Sequence, residues 1–174
     1  MQIGFIGLGK MGLEMSTRAI RGGHELVGFD NSTVSQEKAK EREIPVAASV
    51  EELVKTLAKP RVVWMQLPPG EITNQMIHTI GEALEPGDML IDGGNTDFRD
   101  TVKSGEYLRE KALRFMDIGV SGGVAGAKNG CGMLVGGEKE DYERMVPFFE
   151  SLAAPNAYSY CGGCGAGHYA KNIH

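Results

Sequence analysis

Gln2-Ile3-Gly4-Phe5-Ile6, followed at once by Gly7-Leu8-Gly9-Lys10-Met11-Gly12, is the stretch that decides the fold. The first five residues form an apolar run and predict a buried strand. The G-x-G-x-x-G that follows predicts a tight turn from that strand into a helix. Each glycine has a task in such a turn: Gly7 makes the bend, Gly9 lets backbone approach a pyrophosphate, and Gly12 lets helix and strand pack closely. The phosphates sit on the open N–H groups at the helix start, where the macrodipole favours negative charge. Alone the pattern is a weak signal, and a glycine turn without ligand produces it too. Here strand and helix flank it as dinucleotide binding requires.

Outward from this stretch, strands and helices alternate. A helix over 10–21 ends at Gly22-Gly23, and a strand over 25–29 ends at Asp30. Thr33-Val34-Ser35-Gln36 and Ser49-Val50-Glu51-Glu52 have capping-box spacing and open two further helices. A short strand is expected at 45–48, and buried strands at 61–67, 89–92, 114–120 and 132–137. Helices are expected over 71–84, 97–112 and 140–152, and a last short strand over 157–160. A new helix opens after Gly165-Ala166-Gly167. This order predicts a Rossmann-type α/β fold, a doubly wound, mostly parallel sheet with helices on both faces. In such sheets ligands bind beyond the carboxyl ends of the strands. The unusual residues fall there: Gly7 to Gly12, Asp30, Pro68-Pro69-Gly70, Asn95 and Ser121 all follow expected strand ends.

The 174 residues fit one domain. The net charge is -5, from 18 basic and 23 acidic residues, and no Lys/Arg run suggests a nucleic-acid partner. No apolar stretch approaches the roughly 20 residues of a membrane span. The first core strand begins at residue 2, so no export signal is expected, and three cysteines then fit a reducing cytoplasm. Cys161-Gly162-Gly163-Cys164 has C-x-x-C spacing but no partner pair, so a glycine-rich loop is expected rather than a metal or redox site.

Asp30 ends the second strand about 20 residues beyond the glycine loop, where a carboxylate hydrogen-bonds the ribose hydroxyls of NAD. A 2'-phosphate would meet like charge there, and Asn31-Ser32-Thr33 supply no Arg to hold it. NAD is therefore expected over NADP. Asp30 also suits a turn or helix cap, and the two uses are compatible.

Four stretches together resemble the 6-phosphogluconate dehydrogenases of the β-hydroxyacid dehydrogenase superfamily: Ile6 to Gly12, Ile91-Asp92-Gly93-Gly94-Asn95-Thr96, Gly119 to Ala127, and Gly165 to His174. The resemblance spans the chain, as the N-terminal cofactor domain. Two details separate it from the 3-hydroxyisobutyrate dehydrogenases: these usually carry Ser at the position of Asn95 and Asn at that of His174. Asp30 is a departure from the NADP-dependent members, which read Asn-Arg-Thr at this strand end; it resembles the shorter, NAD-preferring, decarboxylating branch.

The resemblance implies oxidation of 6-phosphogluconate at C3, loss of carbon dioxide and formation of ribulose 5-phosphate, with no metal. It implies Lys171 as the catalytic base that takes the C3 hydroxyl proton. An ordinary lysine is protonated at neutral pH, so this role needs a setting that favours the neutral amine. Desolvation, a cationic nicotinamide and the positive start of the helix after Gly167 are the expected contributors. Ser121, Gly122 and Gly123 match the family's carboxylate-binding loop, Asn95 would hold substrate and the nicotinamide side, and His174 would bind substrate. The residues expected on the cofactor are Gly7, Leu8, Gly9, Lys10, Met11, Gly12, Asp30, Asn31, Leu67, Pro68, Pro69 and Asn95. His168 reads as a structural helix-start residue and Lys128 as a surface charge. The expected division is a NAD-binding domain over 1–164, with 165–174 opening a helix toward a helical C-terminal domain. That domain would complete the site and the family's homo-oligomer, so the chain is expected to be a truncated piece, inactive alone. The alternatives are a 3-hydroxyisobutyrate-type dehydrogenase without decarboxylation and a nucleotide-binding module without catalysis.

Overall fold

The computed structural model describes residues 1–173. It is a seven-stranded sheet in the order β2-β1-β3-β4-β5-β6-β7. β1 (Gln2–Ile6) pairs in parallel with β2 (Glu25–Phe29) on one side and β3 (Val62–Met65) on the other. β4 (Met89–Asp92) and β5 (Arg114–Ser121) continue the parallel set. The doubly wound α/β architecture expected from the alternating pattern is present.

The strands are apolar on both faces because both are covered. Ile3, Phe5, Trp64 and Ile91 face a core built with α1 (Lys10–Arg21) and α7 (Lys139–Leu152). Ile6, Val63, Met65 and Leu90 face the opposite core, with α3 (Val50–Thr56), α4 (Glu71–Ala83) and α5 (Phe98–Glu110). Trp64 is fully buried, stacked on Phe5 and tilted against Phe148, and it centres the first core.

Four sequence expectations change. The strand expected at 45–48 shrinks to one bridge, Gly28 with Val46. Pro45 has no N–H to donate and contributes only its carbonyl, accepting from Gly28 N–H at 2.8 Å. The helix expected to start with a Thr33 cap is α2 (Thr33–Glu41), and its cap is Ser32, whose hydroxyl accepts from Ser35 N–H. The loop after Ser121 contains a short helix, α6 (Gly123–Asn129), that the glycine content concealed. β6 (Cys131–Gly136) then runs antiparallel to β5, because the connection from Ser121 to Cys131 is shorter than the dozen or so residues a parallel crossover needs. The last strand, β7 (Ala153–Gly162), is far longer than 157–160. It carries Pro155 and a positive-φ Asn156 through a register shift against β6, and these turn-forming residues hide its extent in the sequence.

Candidate functional site

β1 to β5 are parallel and nearly in register, so their carboxyl ends share one edge: Ile6 pairs with Phe29 and Met65, Met65 with Asp92, and Asp92 with Asp117. β5 alone runs on for four more residues, to Ser121. At about 3.3 Å per residue this carries Ser121 roughly 13 Å past the line where its neighbours end. The edge thus has a low part holding the glycine loop and a raised part holding Ser121.

On the low part the glycine loop is shaped by contacts that exclude side chains. Gly7 has φ +103°, and its N–H donates to Phe29 O at 2.9 Å. A Cβ at Gly7 would run into Gln66 O, and one at Gly12 into Gly7 O. A Cβ at Gly9 would meet nothing within 4 Å, so the space above that backbone is open. Gly9 is the N-cap of α1 and makes no side-chain cap, leaving the first N–H groups of the helix free for an anion. This loop fits the pyrophosphate of a dinucleotide. Lys10 is exposed and Met11 half-buried. Beside the loop, α1 and α2 enclose a groove of about 490 Å³ lined by Leu8, Gly9, Lys10, Ser35, Lys38 and Arg42, among others.

Asp30 is half-buried at the end of β2, and its carboxylate accepts from Leu8 N–H and from Ser32 N–H, both at 2.8 Å. It therefore fastens the glycine loop to the second strand and closes the turn before α2. Each carboxylate oxygen has a second lone pair, so ribose hydroxyls can add to these bonds without displacing them. Gln36 donates to Asp30 O at 2.6 Å and steadies the same turn. Asn31 is exposed beside it.

Leu67 is half-buried against the Gly7 turn, while Pro68 and Pro69 stand exposed above β3, fixed by the Thr73 hydroxyl donating to Pro68 O at 2.6 Å. Asn95 is exposed, and its turn is held from below by Asp92, which is 1% exposed. The Asp92 carboxylate accepts from Gly94 N–H at 3.0 Å and from the Thr96 hydroxyl at 2.6 Å.

On the raised part, α8 (Ala166–Ile173) lies across β5 and β6. Gly119 makes this approach possible: a Cβ there would overlap Lys171 Cβ and lie 3.0 Å from Gly167 O. Lys171 is half-buried and shares a small cavity of about 210 Å³ with Ser121, Gly132, Leu134, Asn156 and Ser159. Lys171 and Ser121, 50 positions apart in sequence, are thus brought together. Gly122 and Gly123, both at positive φ, are exposed at the opening of α6. His174 lies outside the described residues. Lys128 is exposed, as expected of a surface charge.

One expectation about Lys171 is corrected. The positive start of α8 is not open: the buried Asp117 carboxylate occupies it, accepting from Gly165 N–H at 2.7 Å and His168 N–H at 2.8 Å. Lys171 also stands five positions after Ala166, beyond the first turn in which a helix end acts. His168 is 1% exposed with its Nδ1 2.7 Å from the Thr101 hydroxyl, which is the structural placement expected of it.

Asp117 and Thr101 were not among the residues named from the sequence. For Asp117 a signal existed: a lone charge inside the otherwise apolar run Phe115 to Val120. A carboxylate in a strand buried on both faces must have donors waiting for it.

Residues 2–164 match the family model described as the NAD binding domain of 6-phosphogluconate dehydrogenase. The chain belongs to that family. The chain is 34% identical, over 175 residues, to the NAD(+)-dependent, decarboxylating 6-phosphogluconate dehydrogenase of Haloferax volcanii. It is 35% identical over 182 residues to the decarboxylating 6-phosphogluconate dehydrogenase of Staphylococcus aureus. The alignments take in 100% and 99% of the chain, but only 58% and 39% of those relatives. Among solved structures, Mycobacterium tuberculosis 3-hydroxyisobutyrate dehydrogenase with L-serine matches at TM-score 0.91 and 30% identity, over 99% of this chain and 58% of that one. Plasmodium falciparum 6-phosphogluconate dehydrogenase matches at TM-score 0.91 and 31% identity, over 100% of this chain and 39% of that one.

Cys131, Cys161 and Cys164 are all free thiols. Cys161 and Cys164 turn to different carbonyls, Ser159 O and Thr101 O, each at 3.7 Å. Burial pushes the Cys131 thiol up to about 11 and Cys164 to about 12, and raises Cys161 as well. Cys164 is exposed as a residue, but its Sγ is packed against Gly105, which accounts for that rise. The thiolate is the reactive form, so iodoacetamide at pH 7.5 is expected to label Cys161 slowly and the other two more slowly still. Mass spectrometry of native protein checks this, and labelling of Cys131 as fast as Cys161 would contradict it. An unfolded thiol titrates near 9, while the folded state keeps these two protons to about 11 and 12. Their stabilising contribution is therefore complete below pH 9 and is lost as pH rises toward 11 and 12.

Among the described residues no helix is long and apolar enough to cross a membrane, and no cluster of three or more His, Cys, Asp or Glu side chains is placed to hold a metal.

Proposed function

We propose that the protein oxidises 6-phosphogluconate at C3 with NAD and releases carbon dioxide, giving ribulose 5-phosphate. The observation that carries this reading is the meeting of Lys171 with Ser121 in one cavity on the raised part of the edge whose low part holds the glycine loop. When bound, the nicotinamide supplies the hydride acceptor. Lys171 takes the proton of the C3 hydroxyl as the hydride leaves, then returns it to the ketone oxygen while carbon dioxide departs. The new ketone is the electron sink, so decarboxylation requires no metal. Ser121, with the Gly122 and Gly123 backbone N–H groups, binds the substrate carboxylate. Asn95 hydrogen-bonds substrate on the nicotinamide side and fixes the hydride geometry.

NAD is favoured over NADP by the Asp30 carboxylate. Its bonds to Leu8 and Ser32 hold it where a 2'-phosphate would meet a fixed negative charge. The NAD(+)-dependent H. volcanii relative agrees with this.

A 3-hydroxyisobutyrate-type oxidation without decarboxylation is the second reading, because the M. tuberculosis and P. falciparum structures match equally well at TM-score 0.91. Asn95 favours the first. Initial rates of the full-length protein with each substrate, under NAD and then NADP, test both points. The expected result is turnover of 6-phosphogluconate with NAD preferred at least about tenfold, the order of one lost or repelled charge contact. Reduction of cofactor by 3-hydroxyisobutyrate alone would replace the first reading with the second. A preference for NADP would keep the substrate and overturn the role of Asp30.

A further inference from the structure

We propose that Asp117 is a positioning residue for the reaction: it fixes the start of α8 so that Lys171 is held over Gly119 beside Ser121. The inference rests on the assignment of Lys171 as general base.

Asp117 is fully buried in the middle of β5, between Met116 and Ile118. A carboxylate there is costly unless its oxygens are met by donors, and an apolar side chain would suit the strand better. Both oxygens are met by backbone of the lysine helix. Oδ1 accepts from Gly165 N–H at 2.7 Å and Oδ2 from His168 N–H at 2.8 Å. These belong to the donors that every helix leaves unpaired at its start. Lys171 follows His168 by three positions, so anchor and amine share one helix face. Gly119 follows Asp117 by two positions, so anchor and seat share one strand face. The register between α8 and β5 is thus set at two points, the carboxylate below and the missing Cβ of Gly119 above.

A second tie runs sideways. His168 Nδ1 lies 2.7 Å from the Thr101 hydroxyl on α5, and that hydroxyl lies 3.2 Å from Asp97 O. With Nδ1 as donor, the Thr101 hydroxyl accepts from it and donates onward to Asp97 O. Asp92, the register partner of Asp117 on β4, makes the corresponding tie for the Asn95 turn. Two neighbouring buried carboxylates therefore anchor the two backbone segments that carry Asn95 and Lys171.

The test uses the full-length protein with 6-phosphogluconate and NAD, reading kcat, KM and the NAD dissociation constant. Asp117→Asn removes one acceptor oxygen at constant size. It is expected to lower kcat about 100-fold, the cost of misplacing a reacting group by about 1 Å. NAD affinity is expected to stay within about twofold, because the glycine loop is held by separate contacts; a general loss of structure would lower both together. Thr101→Val keeps the carboxylate and removes the sideways tie, and is expected to lower kcat about 5-fold with NAD affinity unchanged. If Asp117→Asn does not fold, Thr101→Val decides. Wild-type kcat in a folded Asp117→Asn, or equal losses in kcat and NAD affinity, would overturn the proposal. So would wild-type kcat in Thr101→Val when the other variant does not fold. Lys171→Met separates the two layers. If it is inactive while Asp117→Asn is normal, only the positioning role fails. If it turns over normally, the general-base assignment itself fails.

Discussion

Replacing Lys171 by Met is expected to lower kcat for 6-phosphogluconate oxidation about 10³-fold and to leave NAD binding unchanged. The magnitude is that of removing a positioned general base. The separation follows from the two-level edge. Lys171 lies against Gly119, on the part of β5 that runs past Asp117, whereas the glycine loop sits at the lower ends of β1 and β2. Met retains most of the stem that packs against Gly119 and removes only the amine, so folding is expected to survive. Steady-state kinetics with a parallel NAD titration checks this. A kcat within tenfold of wild type would remove Lys171 from the chemistry.

Gly12→Ala is expected to do the reverse, with the effect falling on cofactor binding and stability. A Cβ at Gly12 points straight into Gly7 O and lies 3.2 Å from the Phe5 ring. Neither can retreat easily: Phe5 is fully buried under Trp64, and Gly7 is pinned by its N–H bond to Phe29 O. The loop must rise, which carries it off the line that Leu8 N–H shares with Asp30. Overpacking of this kind costs about 1–3 kcal/mol, which in a domain of this size lowers the melting temperature by roughly 5 °C. NAD affinity is expected to fall at least about 30-fold, since the distorted N–H groups are those that face the pyrophosphate. Calorimetry and NAD titration of the variant check both effects. Unchanged affinity would mean that the dinucleotide does not sit on this loop. The open space over Gly9 invites the contrasting substitution: Gly9→Ala meets no protein atom and is expected to leave stability nearly intact while obstructing the cofactor.

The parts of this fold that could be read directly are those where local sequence and tertiary role agree. The run Gln2 to Ile6, the three loop glycines, and Asp30 after Phe29 each announce a local structure that packing then retains. Ser49 likewise caps α3 as its spacing suggests, accepting from Glu52 N–H at 3.0 Å. What escaped reading was decided at a distance. α6 is rich in glycine and stands because it packs on α1, which no window around Gly123 can reveal. β7 crosses Pro155 and Asn156 because β6 is there to pair with it. The site divides in the same way. Lys171 and Ser121 could be named by resemblance, but that Gly119 is the seat joining them appears only when α8 is laid on β5. Asp117 was visible as a misplaced charge, and its meaning lay 48 and 51 positions further along, in the two N–H groups it accepts.

The most direct test of the account is the ratio of carbon dioxide trapped to NADH formed when the full-length protein is given 6-phosphogluconate and NAD. The reading of Lys171, Ser121 and Asn95 as a decarboxylating site predicts one carbon dioxide for each NADH throughout the reaction. NADH formed without carbon dioxide would contradict it, and would leave an NAD(P)-binding domain serving a simple hydroxyacid oxidation.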